Sequence, residues 1–170
     1  MKQLTWDAFE KKIFIKADIS EIYRLWSTKS GIIQWFLSDA VYTRNGLEIS
    51  DQENFKSGDQ YTWFWHNWDG KEEGTILEAN GSDFINFSFA GSCEVSVRLE
   101  KHDQAVLVSL KQSNIPQDDK SKLEIFYGCS NGWTFWLANL KAFVEHGILL
   151  NETEFDLKPY ELAGYQFVNM

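Results

Sequence analysis

Five predicted strands separated by short turns constrain the fold of this chain more than any other feature of its sequence. Turn residues such as Asn80-Gly81 and His102-Asp103 stand between consecutive stretches that are rich in apolar and aromatic residues. This spacing is typical of β-hairpins, so neighbouring strands are predicted to pair antiparallel in a meander. The predicted strands are Gln60 to His66, Gly74 to Ala79, Asp83 to Ala90, Cys93 to Glu100 and Ala105 to Gln112.

One face of this predicted sheet has to be covered. The strand from Cys93 to Glu100 alternates apolar with polar side chains, which predicts one buried face and one solvated face. The segment Asp118 to His146 has a helical pattern, and at about 1.5 Å per residue it is ~40 Å long, enough to cross a sheet. Gly147 is a good signal for the end of that helix. The apolar residues expected near its buried side are Leu123, Phe126, Tyr127, Trp133, Leu137, Leu140 and Val144.

The segment before the meander predicts a strand followed by two short helices. Glu10 to Lys16 alternates charged residues with isoleucines, as a half-buried strand does. Asp18 and Glu21 have the spacing of a capping box at the start of the first helix, and Ser30 to Phe36 is predicted as the second. A further strand is predicted at Ala40 to Thr43. The fold class is therefore α+β.

Composition limits the class of partner. The chain has 170 residues, a size that one domain can hold, and a net charge of -9 with a pI near 4.8. Such a charge disfavours nucleic acid and anionic membrane surfaces, because phosphate binding depends on Lys and Arg. Two cysteines and an N-terminal stretch, Met1 to Lys12, that is interrupted by charges predict a cytoplasmic protein without an export signal. Membrane insertion is not expected, because the apolar runs are short.

The ordered set of motifs resembles the START and Bet v 1-like helix-grip superfamily, in its branch related to the activator of heat-shock protein 90 ATPase. The resemblance runs from about Glu10 to Gly147. It implies a curved antiparallel sheet wrapped around a long C-terminal helix, with two short helices after the first strand. The residues that carry it are Asp18 to Trp26, Ile33 to Phe36, Glu73 to Ala79, Asp83 to Phe89, Ile115-Pro116, Gly132-Trp133, Leu137, Leu140-Lys141 and Phe143 to Glu145.

In that fold the helix and the sheet leave a cavity, and the aromatic content of 16% suggests walls made of rings. The expected function is non-enzymatic binding of a small apolar or aromatic, lipid-like ligand. The alternative interpretation is that the same rings only fill the interior. The residues expected to line the cavity are Trp35, Phe36, Trp63, Trp65, Phe87, Phe89, Trp133, Leu137 and Leu140.

Two other function classes stay open at this point. Relatives of the fold include cyclases and hydrolases, so an enzyme acting on a hydrophobic substrate in the same cavity is one alternative. A co-chaperone-like interaction domain is the other. No catalytic residue is assigned, and neither a metal nor another cofactor is expected, because His66, His102 and His146 have no metal-site spacing. Cys129 is expected to have a packing role.

The C-terminal part of the sequence raises two further questions. Gly128 and Gly132 each cost helix propensity of ~1 kcal/mol, so either the helix lies close to the sheet there or it bends to make room for a ligand. Residues 1–150 are predicted to form the helix-grip domain. Residues 151–170 are predicted to be an extension that packs on it, with coverage of the cavity mouth or contact with a second subunit, and so a homodimer, as alternatives.

Overall fold

A single antiparallel sheet carries most of the architecture. The computed structural model describes residues 5–170, so residues 1–4, which belong to the predicted N-terminal stretch and to the predicted domain 1–150, lie outside the description. Eight strands follow the spatial order β1-β8-β7-β6-β5-β4-β2-β3. They are β1 Phe9–Ile15, β2 Asp39–Arg44, β3 Leu47–Glu48, β4 Gln60–Phe64, β5 Lys71–Ala79, β6 Phe84–Phe89, β7 Cys93–His102 and β8 Ala105–Ser113.

The predicted meander is confirmed. Each of the strands β4 to β8 pairs antiparallel with the next one along the chain, and β8 also pairs with β1. The strand β5 begins at Lys71, before the predicted start at Gly74, and this longer strand brings Glu72 into the sheet opposite Trp63. In β7 the residues Cys93 to Leu99 show the expected alternation of burial.

The helices differ from their predicted bounds. They are α1 Ile19–Ser27, α2 Lys29–Ile32, α3 Asp119–Ser121, α4 Gly128–His146 and α5 Ala163–Gln166, with a π-helical segment Lys122–Tyr127 before α4. Asp18 stands at the N-cap of α1 but makes no side-chain capping hydrogen bond, so the predicted capping box is wrong. The helix α2 ends at Ile32 rather than at Phe36.

The long predicted helix from Asp118 to His146 is therefore three segments. In the π-helical segment the hydrogen bonds join residues five apart instead of four, which shifts the side chains relative to α4. Leu123 and Tyr127 are mostly exposed as a result, although the sequence pattern placed them near the buried side. The helix α4 itself buries Trp133, Leu137 and Leu140 as expected, and Gly147 ends it with a left-handed φ of 67°.

The C-terminal half of α4 is held against the edge strand β1. The Lys141 ammonium donates a hydrogen bond to the Phe14 carbonyl at 2.7 Å, and the Lys16 amide donates one to the Glu145 carboxylate at 2.8 Å. Between helix and sheet lies one hydrophobic core that also includes α1 and α2. A curved antiparallel sheet with a long C-terminal helix across it is the helix-grip fold, so the predicted α+β class is confirmed. Within residues 5–170 no helix is both long and apolar enough to cross a bilayer.

Candidate functional site: an aromatic cleft beside the C-terminal helix

The space between α4 and the sheet is filled by aromatic rings, which contact the helix at Trp133 and Trp136. Trp26 and Trp35 lie 4.7 Å apart between ring centroids, Trp35 stacks on Phe36 at 5.3 Å, and Phe36 meets Trp63 edge-on at 5.5 Å. Trp63 in turn packs on Phe87 at 5.2 Å. These are ordinary contact distances between aromatic side chains. This part of the interior is a closely packed aromatic core.

An open cleft lies beside the first half of α4 instead. Its volume is about 910 Å³, within the usual range for small-molecule sites. Four parts of the chain form its walls: residues 65–72 after β4, residues 89–90 at the end of β6, the face of the π-helical segment and α4 from Glu124 to Ala138, and the C-terminal residues 164–170. A smaller apolar pocket of about 100 Å³ shares five lining residues with the cleft and extends it inward. The shared residues are Trp65, Phe89, Cys129, Gly132 and Trp136.

The structure divides the nine residues expected to line a cavity into two groups. Trp65 and Phe89 line both the cleft and the smaller pocket, and Phe36 and Trp133 line the smaller pocket. All nine belong to or pack against one core cluster, but five of them line neither space. Their place is in the packed core, because their rings and side chains fill the volume that was expected to be open. These five are Trp35, Trp63, Phe87, Leu137 and Leu140. Ligand binding by the set of nine stays a prediction.

The two helix glycines face open space. A methyl group added at Gly132 would meet no atom within 4 Å, and one at Gly128 would meet only the Leu123 carbonyl oxygen at 3.9 Å. The helix therefore does not need small residues there for a close approach to the sheet. Both glycines line the cleft. This agrees with the second explanation considered for them, in which the helix leaves room beside it.

The C-terminal segment that forms one wall is tied to the loop after β4 by Asn67. The Asn67 amide nitrogen donates to the Glu152 carbonyl at 2.9 Å, and its carbonyl oxygen accepts from the Leu157 amide at 3.0 Å. Leu157 is buried, and Lys158 forms an ion pair with Asp69 at 3.0 Å. The buried side chain of Asn139 in α4 accepts a hydrogen bond from the Leu150 amide at 2.6 Å. The segment after α4 thus contacts the rest of the chain at several points.

Glu72 is an acidic residue on the inner face of the sheet. It is paired across the strands with buried Trp63, and paired residues of an antiparallel ladder point to the same face. Its carboxylate accepts a hydrogen bond from the Ala90 amide at 2.7 Å, and its side chain lines the cleft. Burial raises the pKa of Glu72, an effect that the Ala90 hydrogen bond partly offsets. Glu73, the next residue, is exposed and pairs with Lys71.

Cys129 lies in the cleft wall but is not activated for nucleophilic chemistry. Burial raises its thiol pKa to about 11, so the thiol is protonated at neutral pH. This fits the packing role expected from the sequence. Across residues 5–170, no group of three His, Cys, Asp or Glu side chains has a geometry that could hold a metal ion.

Several cleft residues were not found by sequence reasoning. Glu72 was missed because β5 was predicted to start at Gly74, although a period of two extended backward from Ile76 and Gly74 would have placed it inward. Trp136 was missed because it lies off the expected stripe of the helix. The C-terminal aromatic residues Tyr165 and Phe167 had a weak signal, namely the apolar character of the tail.

Solved structures with the same fold are numerous. The protein SSP2350 from Staphylococcus saprophyticus superposes with a TM-score of 0.67 at 18% identity, covering 84% of this chain and 95% of that one. The Aha1 dimer from Colwellia psychrerythraea gives a TM-score of 0.65 at 20% identity, covering 82% of this chain and 97% of that one. DynU16, a protein of the dynemicin biosynthetic locus, gives a TM-score of 0.66 at 16% identity. The superposition covers 86% of this chain and 50% of DynU16. At these identities the likeness concerns the fold.

Family assignment comes from the sequence match. No curated protein matches this chain. The family model described as activator of Hsp90 ATPase homolog 1-like protein matches residues 16–145, which is more than half of the chain and includes the strands β2 to β8 and nearly all of α4. The C-terminal wall of the cleft lies beyond the matched range. The chain belongs to the Activator of Hsp90 ATPase homolog 1-like family.

Proposed function

We propose that this protein binds a small apolar or aromatic molecule in the cleft between the loop after β4, the first half of α4 and the C-terminal segment. The observation that carries the proposal is the cleft itself, about 910 Å³ in volume, with eight aromatic side chains in its walls. Pockets of this size and lining usually bury most of a small ligand. The proposed site therefore lies beside the filled core rather than within it.

Two further features support a ligand in this place. The glycines at positions 128 and 132 reduce helix propensity, although no close contact requires them. A ligand in the space beside them would explain why the helix carries glycines there. A π-helical segment stands directly before them, and such segments are frequent at functional sites. Half-exposed Trp68 adds a large ring to the wall, next to Trp65 at 5.4 Å.

The first experiment is native mass spectrometry of protein purified from its own host, followed by titration with Nile red, a neutral apolar dye. We expect a co-purifying small molecule, saturable dye binding, and a rise in melting temperature with ligand. Absence of a bound molecule together with no dye binding would contradict the proposal.

A pair of tryptophan variants locates the site. Trp68→Ala removes a ring from the cleft wall and should weaken dye binding by roughly tenfold, as loss of a large buried aromatic contact does. Trp6→Ala is the matched control, because Trp6 is similarly half-exposed and packs on Phe126 without lining the cleft. Equal effects of the two substitutions would place the dye elsewhere on the protein.

A further inference from the structure

The charges around the cleft are of one sign. Among the described residues that line it there is no Lys, Arg or His, whereas two glutamates, Glu72 and Glu124, are present. Glu124 is half-exposed at the rim, where it lies 3.8 Å from Lys120. Glu72 lies deeper, and no basic side chain of residues 5–170 approaches its carboxylate within 4.0 Å. Within the described part of the chain, the inner carboxylate is therefore without a cationic partner.

An inward carboxylate on a sheet face is costly without a compensating charge. The Ala90 amide satisfies part of its hydrogen-bonding capacity, and the same contact ties β5 to the turn after β6. A structural role of that kind needs an acceptor but not a negative charge, since a glutamine would accept the same hydrogen bond. The hydrogen bond to Ala90 therefore does not explain why the residue at position 72 carries a negative charge.

Aromatic rings surround the same space. Trp65, Trp68, Phe89 and Trp136 line the cleft together with Glu72. Faces of aromatic rings attract organic cations, and a carboxylate beside them supplies the counter-charge. Carboxylic acids, phosphates and sulfates would meet only like charges.

We propose that the ligand is a cationic molecule, an apolar or aromatic amine whose ammonium group binds at Glu72 while its rings or chain lie against the tryptophans. This inference rests on the proposed function and adds the charge class of the ligand. Neutral molecules of the same shape bind more weakly, and anionic ones most weakly.

Three probes with one ring system test the assignment. They are 1-naphthylmethylamine, 1-naphthalenemethanol and 1-naphthoate, which are cationic, neutral and anionic at pH 7. Calorimetric titration of the full chain at low salt should show the amine binding about tenfold more tightly than the alcohol, the lower end of what a charge-assisted hydrogen bond contributes. The naphthoate should bind least.

Two isosteric variants complete the test. Glu72→Gln keeps the acceptor for the Ala90 amide and should reduce the preference for the amine to within about twofold of the alcohol. Glu73→Gln removes the same charge from the neighbouring residue on the opposite, exposed face and should leave the preference unchanged. If the alcohol or the naphthoate binds the wild-type protein as well as the amine does, or if Glu72→Gln leaves the preference intact, the inference is wrong.

The outcomes separate this inference from the proposed function. Binding of the alcohol without preference for the amine overturns the charge assignment and leaves the cleft as a ligand site. Failure of all three probes to bind contradicts both. The wild-type comparison needs no variant, so it decides the charge preference even if Glu72→Gln folds poorly.

Discussion

The core between α4 and the sheet and the cleft beside α4 use the same kinds of residue for opposite purposes. Between the helix and the sheet, tryptophans and phenylalanines pack ring against ring. Beside the first half of α4, tryptophans wall a cleft of about 910 Å³, and glycines stand where side chains would fill it. The difference shows that aromatic content alone does not predict a cavity. What makes the cleft is the combination of rings with missing side chains.

Single tryptophans in the core and in the cleft wall should have very different effects on stability, and this is the largest effect expected. Trp63 is 1% exposed and donates a hydrogen bond to the Tyr42 hydroxyl at 2.6 Å. Trp63→Ala should lower the free energy of unfolding by about 3–5 kcal/mol, because it leaves a large cavity. Trp68, which is 48% exposed, should lose no more than ~1 kcal/mol on truncation. Urea denaturation of both variants measures the difference, and equal losses would contradict the distinction between the packed core and the cleft.

Glycines provide a second contrast. Gly74 lies opposite Tyr61 in the sheet, and a methyl group there would approach the Tyr61 hydroxyl oxygen to 2.5 Å. Because the tyrosine ring is buried and its hydroxyl bonds to the Ser88 carbonyl, it cannot easily move aside. Gly74→Ala should therefore cost ~1–3 kcal/mol of folding free energy, as overpacking does. Unchanged stability in a urea titration would show that the tyrosine adapts.

The cleft glycine should respond in the opposite direction. Gly132→Ala places a methyl group in open space, so it should raise the free energy of unfolding by up to about 1 kcal/mol through helix propensity. The same methyl group narrows the cleft and should weaken ligand binding. Thermal melts and dye titrations of one preparation measure both effects. A loss of stability would mean that the space beside α4 is already occupied in solution.

The smallest effect concerns Glu72. Its pKa is raised in the folded protein, so the folded state holds its proton more tightly than the unfolded state does. The stability from this group is fully present below the unfolded-state pKa and is lost as the pH rises through the folded-state pKa. Glu72→Gln should therefore have a slightly higher melting temperature than the wild type at pH 7. Near pH 4 the two melting temperatures should not differ in this way.

This last prediction requires that no titratable group next to Glu72 changes its charge between pH 4 and pH 7. Burial raises the pKa of Tyr61, Cys93 and Cys129, and the nearby Glu72 charge raises it further, so these three groups stay neutral between pH 4 and pH 7. Glu73→Gln is the control on the exposed face. A lower melting temperature for Glu72→Gln at pH 7 would mean that the charged hydrogen bond to Ala90 outweighs the burial of the carboxylate.

Much of the fold could be predicted because its signals are local. Hairpin turns such as Asn80-Gly81 and the alternation from Cys93 to Leu99 specify strands and their neighbours without knowledge of the rest of the chain. Errors occurred at element ends, as at the start of β5 and at Asp18, where capping depends on side-chain orientation. The long helix was predicted as continuous because a π-helical turn depends on one backbone hydrogen-bond shift that composition does not reveal.

The candidate site was predicted less well, for a physical reason. Sequence alone determined that the chain is an α+β protein with an antiparallel meander under a long helix, because periodicity and turn chemistry act between near neighbours. Which of the inward rings pack together and which face a cleft was decided only by the tertiary structure. Close packing depends on the summed volumes of side chains from distant segments, such as Trp35, Trp63 and Trp133. The position of the C-terminal segment across from α4 is set in the same way, by contacts made more than eighty residues apart in the chain, as between Asn67 and Glu152.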